Sequence, residues 1–299
     1  MLRVNGVEIE DTFAEAFKMR ASRAIVTAET ADWAHTAATL ATGYATSVIG
    51  CDAEAGLEAV LPAAETPDGR PGMSLLVFGF NTAALGKALV NRIGQCVMTC
   101  PTTACFNGLQ PGEETVKVGG LLRFFGDGHQ ASKKLDGRRY WRVPVMDGEF
   151  LCEDVFGVQR AVAGGNFLIL ATDQGAALGA AEAAVKAIRG VPGVVLPFPG
   201  GVVRSGSKVG SRYKALKAST NDEYCPTLRG LGRSRLPDGA QAVYEIVIDG
   251  LDVAAVETAM RVGVRAACAP GVVQISAGNY GGKLGQYPLH LHRILAETP

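Results

Sequence analysis

One carboxylate stands out because of the company it keeps. Glu245 interrupts Val243-Tyr-Glu-Ile-Val-Ile-Asp249, a run whose β-branched residues otherwise describe a central strand. A glutamate there either points to solvent from one sheet face or lies in a cleft where desolvation raises its pKa. In the second case it stays protonated near neutral pH and serves first as a general acid, then as a general base. Three glycine- and polar-rich stretches have the composition of loops that bring backbone close to a ligand. They are FFGDGHQ (Phe124–Gln130), PFPGGVVRSGSKVGS (Pro197–Ser211) and ASTNDEYCP (Ala218–Pro226). Little regular structure is expected between Pro197 and Pro226.

The closing segment, ISAGNYGGKLGQYPLHLH (Ile275–His292), invites nucleotide or metal readings that its spacing does not support. GNYGGKLG lacks the G-x-G-x-x-G spacing. Leu284 follows Lys283 where a P-loop requires Ser or Thr. His290 and His292 alternate with leucines, which places both on one face of a strand, but zinc needs a third protein ligand and none is near in sequence. They read as a polar strand face, and no metal site is expected. Cys96 and Cys100, in CVMTC, read as core thiols on one strand face.

Four strand–helix–strand units carry these residues. RAIVTA (Arg23–Ala28) leads to the helix ETADWAHTAATLAT and the strand ATSVIGC ending at Cys51. SLLVFGF (Ser74–Phe80) leads to NTAALGKALVNRIGQ and CVMTC ending at Cys100. NFLILAT (Asn166–Thr172) leads to DQGAALGAAEAAVKAIRG and VVLP (Val194–Pro197). AVYEIVIDG (Ala242–Gly250) leads to LDVAAVETAMRVGVRAA and VVQISA (Val272–Ala277). Each helix has apolar residues at i, i+3 and i+4, and Gly or Pro punctuates several joins. Two units in series make a split βαβ, so the expected class is α+β: two ferredoxin-like lobes related by internal duplication, 1–150 and 151–299. The boundary should fall near Asp147–Val162, after a β-rich insertion. A doubly wound sheet is the alternative.

The bulk composition narrows the function. Lys+Arg and Asp+Glu balance at 29 each, which gives no electrostatic reason for a nucleic-acid or anionic-membrane partner. No apolar run approaches the ~18 residues needed to cross a bilayer. The N-terminus meets charge after one apolar residue, unlike a secretory leader. Seven cysteines, odd in number and mostly within apolar stretches, fit a reducing cytoplasm.

Several of these segments together resemble one family. NGVEIEDTFAEAF, ETPDGRPG (Glu65–Gly72), RIGQCVMTCPT (Arg92–Thr102), FFGDG, VAGGNF (Val162–Phe167), PFPGG, ASTNDEYCPT, VYEIVI and ISAGNYGGKLGQYPLHLH are collinear with formylmethanofuran:tetrahydromethanopterin N-formyltransferases. The resemblance implies formyl transfer between the amine of methanofuran and N5 of tetrahydromethanopterin. Both coenzymes act as co-substrates, with no prosthetic group. It also implies a homotetramer, a subunit of a formyltransferase/hydrolase complex, or both. The alternative is a coenzyme-binding scaffold subunit of such a complex with little activity alone.

On the family pattern the catalytic glutamate falls on Glu245. Candidate coenzyme contacts are Gly126, Asp127, Gly128, Gly200, Gly201, Ser207, Lys208, Ser219, Thr220, Asn221, Asp222, Asn279, Tyr280, Gly281, Gly282 and Lys283. Arg123 and Arg212 are further cationic candidates for the coenzymes' anionic tails. Relatives from salt- and heat-loving methanogens are strongly acidic, whereas this chain is balanced and rich in cysteine. Both features resemble a mesophilic, low-salt host such as a methylotrophic bacterium.

Overall fold

A computed structural model describes residues 2–110 and 112–296. The chain forms two compact units, Met1–Lys18 with Val162–Pro299, and Met19–Ala161. The long strands Phe13–Thr27 and Val155–Ala171 each run from one unit into the other.

In the Met19–Ala161 unit, Arg20–Thr27 pairs antiparallel with Gly72–Gly79, which in turn pairs antiparallel with Glu54–Leu61. On the other edge, Ala24–Thr27 pairs antiparallel with Ala104–Asn107. In chain order the sheet therefore runs second, third, first, fourth. Helices Ala31–Thr42 and Thr82–Arg92 supply the crossovers. Ala34, Ala37, Ala38 and Ala41 are fully buried against Leu75 and Val77, and their small side chains let the helix lie close to the sheet. A meander of Ala131–Leu135, Arg138–Val145 and Gly148–Glu153 extends the sheet, its last strand parallel to Ala104–Asn107.

The other unit repeats the order. Ala242–Gly250 lies between Val194–Val195 and the Val162–Ala171 part of the long strand, which is flanked in turn by Val272–Ser276. These pairings are all antiparallel, which excludes the doubly wound parallel sheet. Helices Gln174–Ile188 and Val253–Ala267 cover one sheet face, packing on Phe167, Ile169, Ile246 and Ile248. All four long helices start the same way. The side chain of Thr30, Asn81, Asp173 or Asp252 accepts the N–H three residues on, at Trp33, Ala84, Ala176 and Ala255.

Three expectations from the sequence are corrected. ATSVIGC is not a strand; the strand begins later, at Glu54–Leu61, where Glu58 is held by Arg23 and Ser74. These partners on neighbouring strands accommodate a glutamate that breaks the apolar pattern. CVMTC is not a strand either. The helix runs on through a π turn, Ile93–Val97, because Leu89, Ile93 and Val97 extend its buried i, i+4 row. The strand follows Pro101, at Ala104–Asn107. Finally, Tyr287–His290 is a strand, but helix Leu291–Ala296 begins directly after it. His290 and His292 therefore do not share a strand face.

Gly263 lies where its helix packs against Ile188 of the other helix and Phe167 of the sheet. A Cβ there would lie 2.7 Å from Ile188 Cδ1 and 3.1 Å from Phe167 Cε1. Gly263→Val should therefore cost about 1–3 kcal/mol from overpacking. A lowered urea midpoint at unchanged m-value checks this.

Candidate active site

Alternation along Ala242–Gly250 sends Tyr244, Ile246 and Ile248 to the helix-covered face and Val243, Glu245 and Val247 to the other. Glu245 thus sits on the face opposite these two helices. Its cross-strand neighbours are fixed by register: Leu168 on the adjacent strand, then Ser276 beyond it. On its free edge, Val203 exchanges two backbone hydrogen bonds with Glu245, at 2.8 and 3.0 Å. The PFPGG loop is therefore threaded alongside the glutamate, with Gly200 and Gly201 both at positive φ.

Loops, not helices, roof this face. Tyr224 and Leu236 pack with Leu168, Leu170 and Ala240, and the Tyr224 hydroxyl lies 3.2 Å from Ser276 Oγ. Lys208–Val209 and Ala218–Ser219 form a small hairpin, which brings Ser207 and Lys208 beside Ser219, Thr220, Asn221 and Asp222. Lys208 Nζ donates to Asp222 Oδ1 at 2.5 Å, and this bond holds the Asp222 carboxyl below its ordinary range. Lys208 is thus already engaged with an internal carboxylate.

Glu245 keeps a little accessible surface, yet protein surrounds its carboxyl densely. Desolvation alone pushes its pKa up to about 7. That direction is the one expected of the cleft environment.

The closing loop holds a carboxylate that the sequence did not single out. Glu15 is 2% exposed, between the fully buried Ala14 and Ala16. Its Oε2 accepts the N–H groups of Tyr280 (2.7 Å) and Gly282 (3.0 Å), and its Oε1 accepts those of Leu284 (2.5 Å) and Gly285 (2.6 Å). Desolvation is the largest influence on this group and would raise its pKa, but the four donors together outweigh it and the pKa is lowered. GNYGGKLG is therefore an anion cradle whose anion is internal. Gly281 and Gly282, at φ +70° and +73°, turn the chain so that its N–H groups converge. Asn166 ties the loop's start, accepting from Gly278 N and donating to Gly278 O. Glu15 carried one signal in sequence, the same as Glu245: a carboxylate inside an apolar strand.

Tyr280 follows from this anchoring. Burial raises the pKa of its hydroxyl first, and the charges of Glu245 and Glu15 add to the rise. Asn279 donates to Thr12 Oγ1 and Phe13 O, while Lys283 is exposed.

Gly126, Asp127 and Gly128 belong to the Met19–Ala161 unit, not to the unit that contains Glu245. There they form a turn, with Asp127 left-handed at φ 49° and Gly128 N donating to Gln130 Oε1. Arg123 stacks on Phe124 and Trp141 and donates to Gly120 O. Arg212 is exposed. His292 Nε2 lies 2.9 Å from Ile9 O, while His290 sits against the Phe13 ring. Among the described residues no group of three or more His, Cys, Asp or Glu could hold a metal ion. No described helix is long and apolar enough to cross a membrane.

Two family patterns divide the sequence between them. The family described as formylmethanofuran-tetrahydromethanopterin formyltransferase matches residues 2–145, and the one described as its proximal lobe matches 148–294. This chain belongs to the formylmethanofuran–tetrahydromethanopterin formyltransferase family. The Methylococcus capsulatus formyltransferase is 58% identical over 297 residues, covering 98% of this chain and 99% of that one. The formyltransferase structure from Methanosarcina barkeri superposes with a TM-score of 0.93 at 50% identity, covering 98% of this chain and 100% of that one. A structure of the formyltransferase/hydrolase complex from Methylorubrum extorquens, solved with methylofuran, gives 0.96 at 52% identity, covering 100% and 99%. The α+β class agrees with both structures.

The elevated Glu245 pKa has a consequence for stability. Because the folded-state value lies above that of the unfolded chain, the folded protein binds the extra proton between pH ~4.5 and ~7, and stability falls as pH rises through that window. Glu245→Gln, neutral at every pH, should therefore be the more stable form above pH 7, by about 1–3 kcal/mol. The gap should close below about pH 5. Urea unfolding of both proteins across this range checks the sign.

Proposed function

We propose that this chain transfers a formyl group between N5 of tetrahydromethanopterin and the amine of methanofuran, with Glu245 as the acid–base group. The observation that carries the reading is an enclosed glutamate whose pKa of about 7 suits proton transfer in both directions, in a chain matched to the family along its length.

The chemistry explains why such a group is needed. An amine attacks the formamide carbon and the carbonyl oxygen becomes negative. The departing nitrogen must then take a proton before the old C–N bond breaks. Protonated Glu245 supplies that proton, and the resulting carboxylate accepts the one released by the attacking nitrogen, so the group ends as it began. A loop roof that excludes water protects the formyl group from hydrolysis. Gly200, Gly201 and the polar groups of Ser207, Ser219, Thr220, Asn221 and Asn279 are the coenzyme contacts of this reading. Lys208, Asp222, Gly281, Gly282 and Lys283 complete that side. Gly126, Asp127 and Gly128, on the other unit, are contacts on the family pattern alone.

The fold reading goes with it: two ferredoxin-like lobes related by duplication, 1–150 and 151–299. The same strand order and helix start in both compact units support this. The protein acts in the cytoplasm as a homotetramer or as a subunit of a formyltransferase/hydrolase complex, the assembly in which a relative was solved.

Formyl exchange between formyltetrahydromethanopterin and methanofuran by the purified protein is the test. Glu245→Gln should lower turnover by about 10²–10⁴-fold with its thermal unfolding still cooperative. An active wild type with an unaffected variant would remove Glu245 from the chemistry. A folded wild type with no exchange would favour the scaffold role instead.

A further inference from the structure

The backbone bonds between Val203 and Glu245 also fix which side chain stands beside the carboxyl. The two residues exchange both N–H···O bonds, at 2.8 and 3.0 Å, as a hydrogen-bonded antiparallel pair does. Residues paired in this way carry their side chains on one face, with Cβ atoms roughly 4.5–5.5 Å apart. Val202, one position earlier, packs into the cluster under the helices, so alternation sends Val203 to the face of Glu245. Val203 is 4% exposed. On the other flank stands Leu168, also buried and packed with Tyr224, Leu236 and Ala240. One row across the sheet therefore reads Val203, Glu245, Leu168, Ser276, with a branched apolar side chain on each side of the glutamate.

The PFPGG turn delivers this contact. Gly200 and Gly201 take φ +64° and +87°, and a Cβ on Gly201 would lie 2.8 Å from Val185 Cγ2 and 2.9 Å from Leu196 Cδ1. Gly201 N donates to Phe198 O at 2.8 Å and Val202 N to Pro199 O at 3.2 Å, which closes the turn just before the sheet edge. A slip of one residue would set Arg204 beside the glutamate, where a guanidinium would hold the carboxyl ionised.

Building on the formyl-transfer reading, we infer that Val203 is a positioning residue for that reaction: its side chain forms the wall that keeps water and hydrogen-bond donors from one flank of the Glu245 carboxyl. Desolvation raises the pKa of this group to about 7, and an apolar wall desolvates without offering a donor. Charged and titratable groups on the surrounding elements have other engagements. Asp249, on the same strand, accepts from Gly164 N, and Arg204 is exposed. In the roof, Lys208 pairs with Asp222, Arg235 pairs with Glu223, and the Tyr224 hydroxyl lies beside Ser276. Tyr280, in the closing loop, has its pKa raised and is uncharged at neutral pH. Glu245 thus keeps its proton at neutral pH, as donation to the departing nitrogen requires.

Val203→Thr keeps the branched shape and adds one hydroxyl able to donate to the ionised carboxyl. An infrared titration of Glu245, assigned by its loss in Glu245→Gln, should place the midpoint of Val203→Thr about one unit below wild type. Its kcat/KM for formyl exchange should lie within about twofold of wild type near pH ~5 and about tenfold below it near pH ~8, because the acid must carry its proton. Val203→Ile keeps the wall and should hold the wild-type midpoint. Val203→Ala admits water and should lower it.

A wild-type midpoint in Val203→Thr, with cooperative unfolding, overturns the inference and leaves the formyl-transfer reading standing. A loss of exchange equal at every pH overturns it too, since a merely structural role gives that. Should Val203→Thr fail to fold, the midpoint of Val203→Ala decides by the same criterion. A folded wild type that exchanges no formyl group overturns the formyl-transfer reading, while the titration still decides whether Val203 walls the carboxyl.

Discussion

A carboxylate sealed inside a strand must be neutralised, given donors or left protonated, and Glu15 has been given donors. Its flanking alanines are fully buried, and Glu15 itself is 2% exposed. Four N–H groups from a single loop converge on its two oxygens and hold the charge in place. An unpaired carboxylate there would cost several kcal/mol, which is why the loop's path follows so closely from this one side chain. Two consecutive glycines at positive φ make the convergence sterically possible, and Asn166 secures the point where the loop leaves its strand. The backbone of the loop from Tyr280 to Gly285 inherits its placement from Glu15.

Glu15 and Glu245 form an instructive pair. Both interrupt apolar strands of the same unit, and both are largely withdrawn from water. One accepts four backbone hydrogen bonds and ionises more readily than a free carboxyl. The other has desolvation alone acting on it and holds its proton up to about pH 7. Four backbone donors at one group, and desolvation without a compensating donor at the other, separate a structural anion from a group that can trade protons at neutral pH.

Much of this was legible in the sequence because it is local. The Ala242–Gly250 strand has the bounds its β-branched run suggests, and the helices begin at the Thr, Asn and Asp caps that precede their apolar stripes. Illegible features depended on partners far away in the chain. Glu54–Leu61 carries two glutamates and few β-branched residues; it is a strand because Gly72–Gly79 pairs with it and Arg23 neutralises Glu58. Ile93–Val97 reads equally well as the end of a helix or the start of a strand, and packing decides for the helix. The significance of Glu15 was hidden because its donors come some 265 residues later. Glu245 could be suspected alone, but its surroundings, from Val203 to Ser276, are a product of strand register.

The division of the sheet into two faces explains why the chemistry would have to be on loops. On one face the helices pack Ala, Val and Ile residues to full burial, and the cluster there is overwhelmingly apolar. The opposite face has only connecting segments to cover it, and connections can present backbone N–H groups, hydroxyls and amides that a helix spends on itself. Their weakness is mobility, and the structure answers it with discrete ties. Arg229 donates to the carbonyls of Leu236, Pro237 and Ala240, Tyr224 reaches Ser276, and Lys208 holds Asp222. Such a roof is pinned at a few polar points and can therefore flex between them. That combination suits a site that must admit two bulky coenzymes yet hold an acid in fixed register.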